Sequence, residues 1–118
     1  MAIPGEFQGQ KYVSLVTFRK NGVPVYTPLW FAEQDGRLYV QTRNDSGKYK
    51  RIRNNPQVKV APCTMRGKIT GPEFAATVHM LPVEQWARAK EALNRKYWLA
   101  RLPIWSKKNE YLAIEFSG

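Results

Sequence analysis

The 118-residue sequence holds a single cysteine, Cys63, and a single histidine, His79. One cysteine excludes an internal disulfide and any cysteine metal cluster. One histidine leaves no histidine-based metal set and no paired base, which favours a structural or surface place for it. Acids are scarce: 9 Asp and Glu stand against 19 Lys and Arg, a formal net charge of +10. Asp35, Asp45, Glu73 and Glu115 fall in turns or at strand ends, and no two carboxylates are placed together for acid–base work. No apolar run approaches the roughly 18 residues of a membrane span. Residues 1–6 carry no basic segment followed by an apolar one, so the expected location is the cytoplasm.

What is present is ordinary for a globular chain, with 43% apolar and 24% charged residues. The length suits one domain, 1–118, with one modest core. No repeat, linker or composition shift divides it. The positive excess favours an anionic partner: nucleic acid, a membrane surface, or a ligand rich in phosphates or carboxylates. Charge alone does not choose among them.

Residues 12–18 are β-branched and aromatic and read as a strand. Asn21-Gly22 then marks a hairpin into a second strand, 23–31. Pro24 and Pro28 cannot donate to a ladder, which pushes this strand to an edge, a bulge or a ligand-facing position. Asp35-Gly36 turns into a third strand at 38–42. A short helix follows at 46–54, with Asn44, Asp45 or Ser46 as its cap and Asn55-Pro56 as its stop. Strands at 58–65 and 68–80 join around Arg66-Gly67. Pro82 opens an amphipathic helix whose stripe is Trp86, Ala89, Leu93, Tyr97 and Ala100. Glu84–Arg88 and Glu91–Arg95 fall at the spacing of helical ion pairs. A loop at 102–108 leads to a last strand, 111–116. The expected fold is α+β and mainly β: a six-stranded antiparallel barrel with two helices.

The informative stretch is 42–53, TRNDSGKYKRIR. Lys48, Lys50, Arg51 and Arg53 are expected in the first two turns of the short helix. Cations at a helix start oppose the dipole by roughly 0.3–1 kcal/mol each. Free N–H groups, Ser and Thr hydroxyls and several cations together make a phosphate cradle. The bland reading of the same residues is a solvated basic face.

The order of strand, Thr42-x-x-x-Ser46-x-Lys48-x-Lys50, short helix, Asn55-Pro56 and strand resembles the pyridoxamine 5'-phosphate oxidase-like split β-barrel superfamily. Within it, the sequence more closely resembles the small F-420- and FMN-dependent oxidoreductases. Lys11-Tyr12-Val13-Ser14-Leu15 with Asn21-Gly22, Thr27-Pro28-Leu29-Trp30-Phe31, Val60-Ala61-Pro62-Cys63, and Arg66-Gly67-Lys68 with Gly71-Pro72 fit the same group. The resemblance runs from Lys11 to about Phe116. It implies a homodimeric oxidoreductase with two cofactor sites between subunits, passing hydride to or from a small unsaturated substrate. It further implies that Ser46, Lys48 and Lys50 meet the cofactor phosphate beside Thr42, with Arg51 as an addition. The backbone of Pro28, Leu29, Trp30 and Phe31 would line the ring.

Two departures count against pyridoxamine-phosphate oxidation itself. Gly47 stands where true oxidases usually carry arginine, and their closing substrate segment of Trp, Arg and His is not found after Phe116. The deazaflavin F-420 bears an acidic tail, for which Arg43, Lys11, Arg19, Arg53 and Lys59 are further cations, so F-420 is favoured over FMN. Cys63 reads as packing. Of the four tryptophans, Trp30 is expected beside the ring, and Trp98 and Trp105 in a pocket wall or dimer contact. Two alternatives remain at this point. One is a flavin carrier or sensor without turnover. The other is a basic nucleic-acid-binding barrel in which Tyr12, Phe18, Tyr26, Trp30 and Tyr39 stack bases.

Overall fold

A computed structural model describes residues 3–97 and 109–117. Seven strands, β1 (Tyr12–Phe18), β2 (Pro24–Trp30), β3 (Ala32–Gln34), β4 (Arg37–Arg43), β5 (Gln57–Cys63), β6 (Phe74–Met80) and β7 (Asn109–Phe116), form one sheet in the order β2-β1-β5-β6-β7-β4-β3. Every pairing is antiparallel. The two edge strands, β2 and β3, are separated in sequence by Phe31 alone. One residue cannot cross a flat seven-stranded sheet, because neighbouring strands lie about 4.8 Å apart. The sheet therefore curls until its edges meet, giving the expected mainly β barrel.

Seven strands replace the expected six because the chain just past the run 23–31 enters a second ladder as Ala32–Gln34, paired with β4. Phe31 is fully buried and points into the barrel, meeting Phe7 edge-on at 6.2 Å. Its N–H donates to the Tyr97 hydroxyl at 3.0 Å, and that hydroxyl lies 2.6 Å from the carbonyl oxygens of both Phe31 and Lys11. The single phenolic proton is shared between the two carbonyls. Tyr97 thus satisfies the backbone where the ladder breaks, and the chain resumes as β3.

Burial pushes the Tyr97 phenol up to about 12. The folded value lies above the unfolded one of about 10, so this stability is full below pH 10 and is lost as pH rises toward 12. That difference corresponds to about 2–3 kcal/mol. Urea denaturation should show that loss in the native chain between pH 10 and 12, and a smaller one in Tyr97→Phe.

The expected turns form with different chemistry. At Asp35-Gly36 both residues have positive φ, +57° and +75°, as a two-residue hairpin requires. At Asn21-Gly22 only the glycine does, at +86°, while the Asn21 side-chain oxygen accepts from the Val23 N–H. The strand expected from 68 starts at Phe74 instead. Residues 68–73 form a loop whose one ladder contact is a bridge from Ile69 to Cys63. Gly71 passes so close to β5 that a Cβ there would lie 2.7 Å from the Pro62 ring.

The first helix, α1 (Gly47–Asn54), closes one end of the barrel with Tyr49 and Ile52. The second, α2 (Trp86–Lys96), follows a 3₁₀ turn at Val83–Gln85 and packs outside the sheet. Its stripe of Trp86, Ala89 and Leu93 meets Tyr39, Ala113 and Ala32. Tyr97 follows that stripe in sequence but has extended backbone as the helix C-cap, which frees it to reach the seam. Arg88 pairs with Asp35 at 2.9 Å, not with Glu84, while Arg95 and Glu91 lie 4.0 Å apart. Ala100, the loop at 102–108, Trp98 and Trp105 lie outside the described residues.

Candidate cofactor-binding site

The split in the barrel follows from strand lengths. β3 pairs only with residues 37–39 of β4. Beyond Tyr39 that flank of β4 has no ladder among the described residues, and it faces the proline-bearing edge of β2. A cleft of about 300 Å³ opens there, lined by Tyr12, Pro28, Leu29, Trp30, Gln41 and Leu93. Pro28 is exposed, whereas Leu29 and Trp30 are half-buried. Trp30 stacks flat on Tyr97, with ring centroids 4.7 Å apart and planes 5° from parallel. Its indole is thus a fixed wall. Phe31 differs from its neighbours, since both its backbone polar groups are already engaged by Tyr97.

Gln41 in the cleft immediately precedes Thr42, where the second half of the site begins. Ser46 caps α1, its hydroxyl accepting from the Tyr49 N–H at 3.2 Å and donating to the Arg43 carbonyl at 2.8 Å. With that proton committed, the 3.2 Å contact between Thr42 and Ser46 is donated by Thr42. Ser46→Ala should cost about 0.5–2 kcal/mol of stability, read by thermal denaturation.

The helix is only eight residues long, which changes the expected charge pattern. Arg51 and Arg53 sit in its last turn, where the dipole favours cations. Lys48 and Lys50 lie in the acid-free first turn, and Lys48 is half-buried and held below its ordinary value by burial first and by the Arg51 charge second. Arg51 nevertheless returns to the helix start. Its Nε donates to the buried Thr17 hydroxyl of β1 at 2.7 Å, and its Nη1 lies 2.8 Å from where a Cβ on Gly47 would stand. Glycine at 47 therefore makes room for a guanidinium from one turn further on.

Thr42, Ser46, Gly47, Lys48 and Arg51 converge through these contacts. Lys50 and Arg53 are exposed, as are Lys11, Arg19 and Lys59. Arg43 is spent on Asp45, with both contacts at 3.0 Å. The nearby acid Glu110 is likewise engaged, accepting from Tyr49 at 3.0 Å and from Asn44 at 3.1 Å. Sequence reasoning missed Thr17 and the Tyr97 staple. A lone threonine in a strand reads as a β-branched residue and nothing more.

The remaining candidates fall away from the site. His79 is exposed, 3.6 Å from Glu115. Cys63 is buried, and burial pushes its thiol up. Tyr39, one of the proposed base-stacking rings, is buried beneath α2. Among the described residues no group of His, Cys, Asp and Glu could hold a metal, and no helix is long and apolar enough to cross a membrane.

A curled antiparallel sheet, split between β2 and β4 and capped by a short helix, defines a split β-barrel. Residues 2–117 match the pyridoxamine 5'-phosphate oxidase family, and the chain belongs to that family. No curated protein matches it. Solved structures share the fold at low identity. An FAD-binding protein from Mesorhizobium loti is 16% identical, with a TM-score of 0.72 over 96% of this chain and 84% of that one. An F420 reductase is 14% identical, with a TM-score of 0.62 over 98% and 97%. A heme binding protein from Mycobacterium smegmatis is 12% identical, with a TM-score of 0.76 over 95% of this chain and 48% of that one. The chain thus spans about half the length of that last protein.

Proposed function

We propose that this chain is a flavin-type oxidoreductase that binds F-420, or FMN, at a homodimer interface and does not oxidise pyridoxamine phosphate. The observation that carries the reading is the acid-free start of α1. There the half-buried Lys48 feels the charge of Arg51, whose guanidinium folds back over Gly47 beside the Ser46–Thr42 hydroxyl pair. Partly burying Lys48 near a second cation costs free energy that a bound phosphate would return through charge-assisted hydrogen bonds. The apolar cleft with its fixed Trp30 wall suits a planar ring joined to that phosphate. These features fit the cofactor class. An FAD-binding protein and an F420 reductase among the fold neighbours agree with it.

Such a cofactor, when bound, supplies two-electron hydride chemistry. The chain's part is to bind and orient. Lys48 and Arg51 neutralise the phosphate, the Ser46 and Thr42 hydroxyls hold the start of α1 in place beside it, and Trp30 with Pro28 and Leu29 sets the plane of the ring. The exposed cations Lys11, Arg19 and Lys59 attract the acidic tail that separates F-420 from FMN. A second copy covers the open side of the cleft and excludes water from it.

Gly47→Ala separates site from fold. Alanine is the better helix former by up to about 1 kcal/mol, which offsets a loosened Arg51–Thr17 contact, so the net change in stability should be small. The new methyl displaces the Arg51 guanidinium, and cofactor affinity should fall about tenfold, the worth of roughly one charged hydrogen bond. Unchanged affinity would remove Arg51 from the site. Sedimentation of the cofactor-loaded protein should show a dimer at micromolar concentration, and a monomer there would contradict the interface.

A further inference from the structure

The positive charge of the chain is concentrated on one side of the barrel. The stretches 7–32 and 46–72 hold ten of the 19 Lys and Arg and none of the nine Asp and Glu, which leaves the rest of the chain balanced at nine of each. The whole excess of +10 therefore sits on β1, β2, α1, β5 and their flanking loops. These elements are neighbours. Strands β2, β1 and β5 are consecutive in the sheet, and α1 packs on β1 through the Arg51–Thr17 contact. The ion pairs among the described residues, at Arg43, His79, Arg88 and Arg95, all fall in the balanced remainder. Lys48 and Arg51 belong to the cradle, and the other eight cations of the acid-free stretches are exposed.

Aromatic rings share this side. Val13, Leu15, Leu29, Val58 and Val60 point into the core, so the alternate residues Tyr12, Phe18, Tyr26, Trp30 and Lys59 face outward. Tyr12 pairs with Trp30 at the cleft end of the face. Phe18 pairs with Pro24 at the other end, about 20 Å away along β1. Tyr26 and Lys59 flank Val16 from either side, about 10 Å apart across the sheet. Tyr26 is 57% exposed in mid-strand, and prolines two residues before and after it stiffen its backbone. Arg19 and Lys20 follow Phe18 into the hairpin, where Arg19 bonds Val23 just before β2. An exposed ring set among cations, with no acid in either stretch, is the chemistry of a stacking platform for a polyanionic strand. An anionic bilayer fits less well, because it takes up the apolar face of a helix, whereas Tyr26 lies in the body of a sheet.

We propose that the outer face of β2, β1 and β5 binds single-stranded nucleic acid, with a base stacked on Tyr26 and phosphates held by Arg19, Lys20 and Lys59. The cleft end of the face, at Tyr12 and Trp30, stays with the cofactor and the second copy. Binding at Tyr26 does not depend on the cofactor reading.

The test is fluorescence anisotropy of a labelled oligothymidylate of about 12 nucleotides, within the span of one small barrel, titrated with the full chain. It should bind saturably at micromolar protein and low salt, equally with and without saturating FMN. Tyr26→Leu should weaken binding about tenfold, the scale of one stacked base, while Tyr26→Trp should retain it. Lys20→Ala should lower the slope of log affinity against log salt by about 0.7, the share of one phosphate on a single strand. Equal affinity for the same strand paired with oligodeoxyadenylate, or unchanged binding by Tyr26→Leu, would reduce the face to diffuse positive charge and overturn the proposal. Displacement of the oligonucleotide by FMN would place it in the cradle and also overturn it. So would sedimentation with phosphatidylserine vesicles in the absence of any oligonucleotide binding, which would make the face a membrane surface. If a Tyr26 variant does not fold, the duplex and FMN comparisons on the native chain still decide.

Discussion

Replacing Lys48 and Arg51 together with alanine should weaken binding of FMN or F-420 by about 3–6 kcal/mol, two charged hydrogen bonds at roughly 1.5–3 each. The loss should fall on the phosphate. Riboflavin, which has the ring without it, should bind the variant and the native chain alike. Arg51→Ala carries a stability cost as well, since it removes the partner of the buried Thr17 hydroxyl. Lys48→Ala has no such partner to orphan and serves as the cleaner single variant. Lys50→Ala is the internal comparison, because Lys50 is exposed on the same helix. Fluorescence titration of the four proteins separates a built phosphate cradle, in which Lys50 contributes less than Lys48, from a diffuse basic face, in which the two count equally.

Phe7→Ala should destabilise the fold by about 3–5 kcal/mol. The side chain is fully buried in the barrel, with its ring 6.2 Å from Phe31, 5.6 Å from Phe74 and 5.2 Å from Phe116. It comes from a three-residue 3₁₀ turn outside the sheet, so few local contacts compensate for its removal. The cavity would open beneath Phe31, at the seam where the two sheet edges meet. Urea unfolding followed by tryptophan fluorescence should show the midpoint move down with an unchanged slope. A loss below about 1 kcal/mol would mean that the barrel closes around the gap.

The strands and helices were legible in the sequence because local chemistry specifies them. Asp35-Gly36 makes its turn, Ser46 caps its helix, and the Trp86–Ala89–Leu93 stripe finds the outside of the sheet. What was not legible depends on closure. Phe7 carries no periodic signal, yet it fills the barrel. The break at Phe31 depends on a hydroxyl 66 residues away. The proposed cradle was half readable: Ser46, Lys48 and Thr42 sit within a few residues, while the Thr17 contact that holds Arg51 spans 34 positions. Gly47 looked like a missing cation. In three dimensions it is the space a cation occupies.

The central claim is that this split barrel holds a phosphate-bearing flavin-type cofactor, and paired fluorescence titrations of the cofactor-free protein with FMN and with F-420 test it most directly. The account predicts saturable binding of F-420 in the low micromolar range, with FMN weaker, and loss of both in the Lys48→Ala/Arg51→Ala variant. Binding of neither ligand below about 100 μM, a free energy of only ~5–6 kcal/mol, would contradict it.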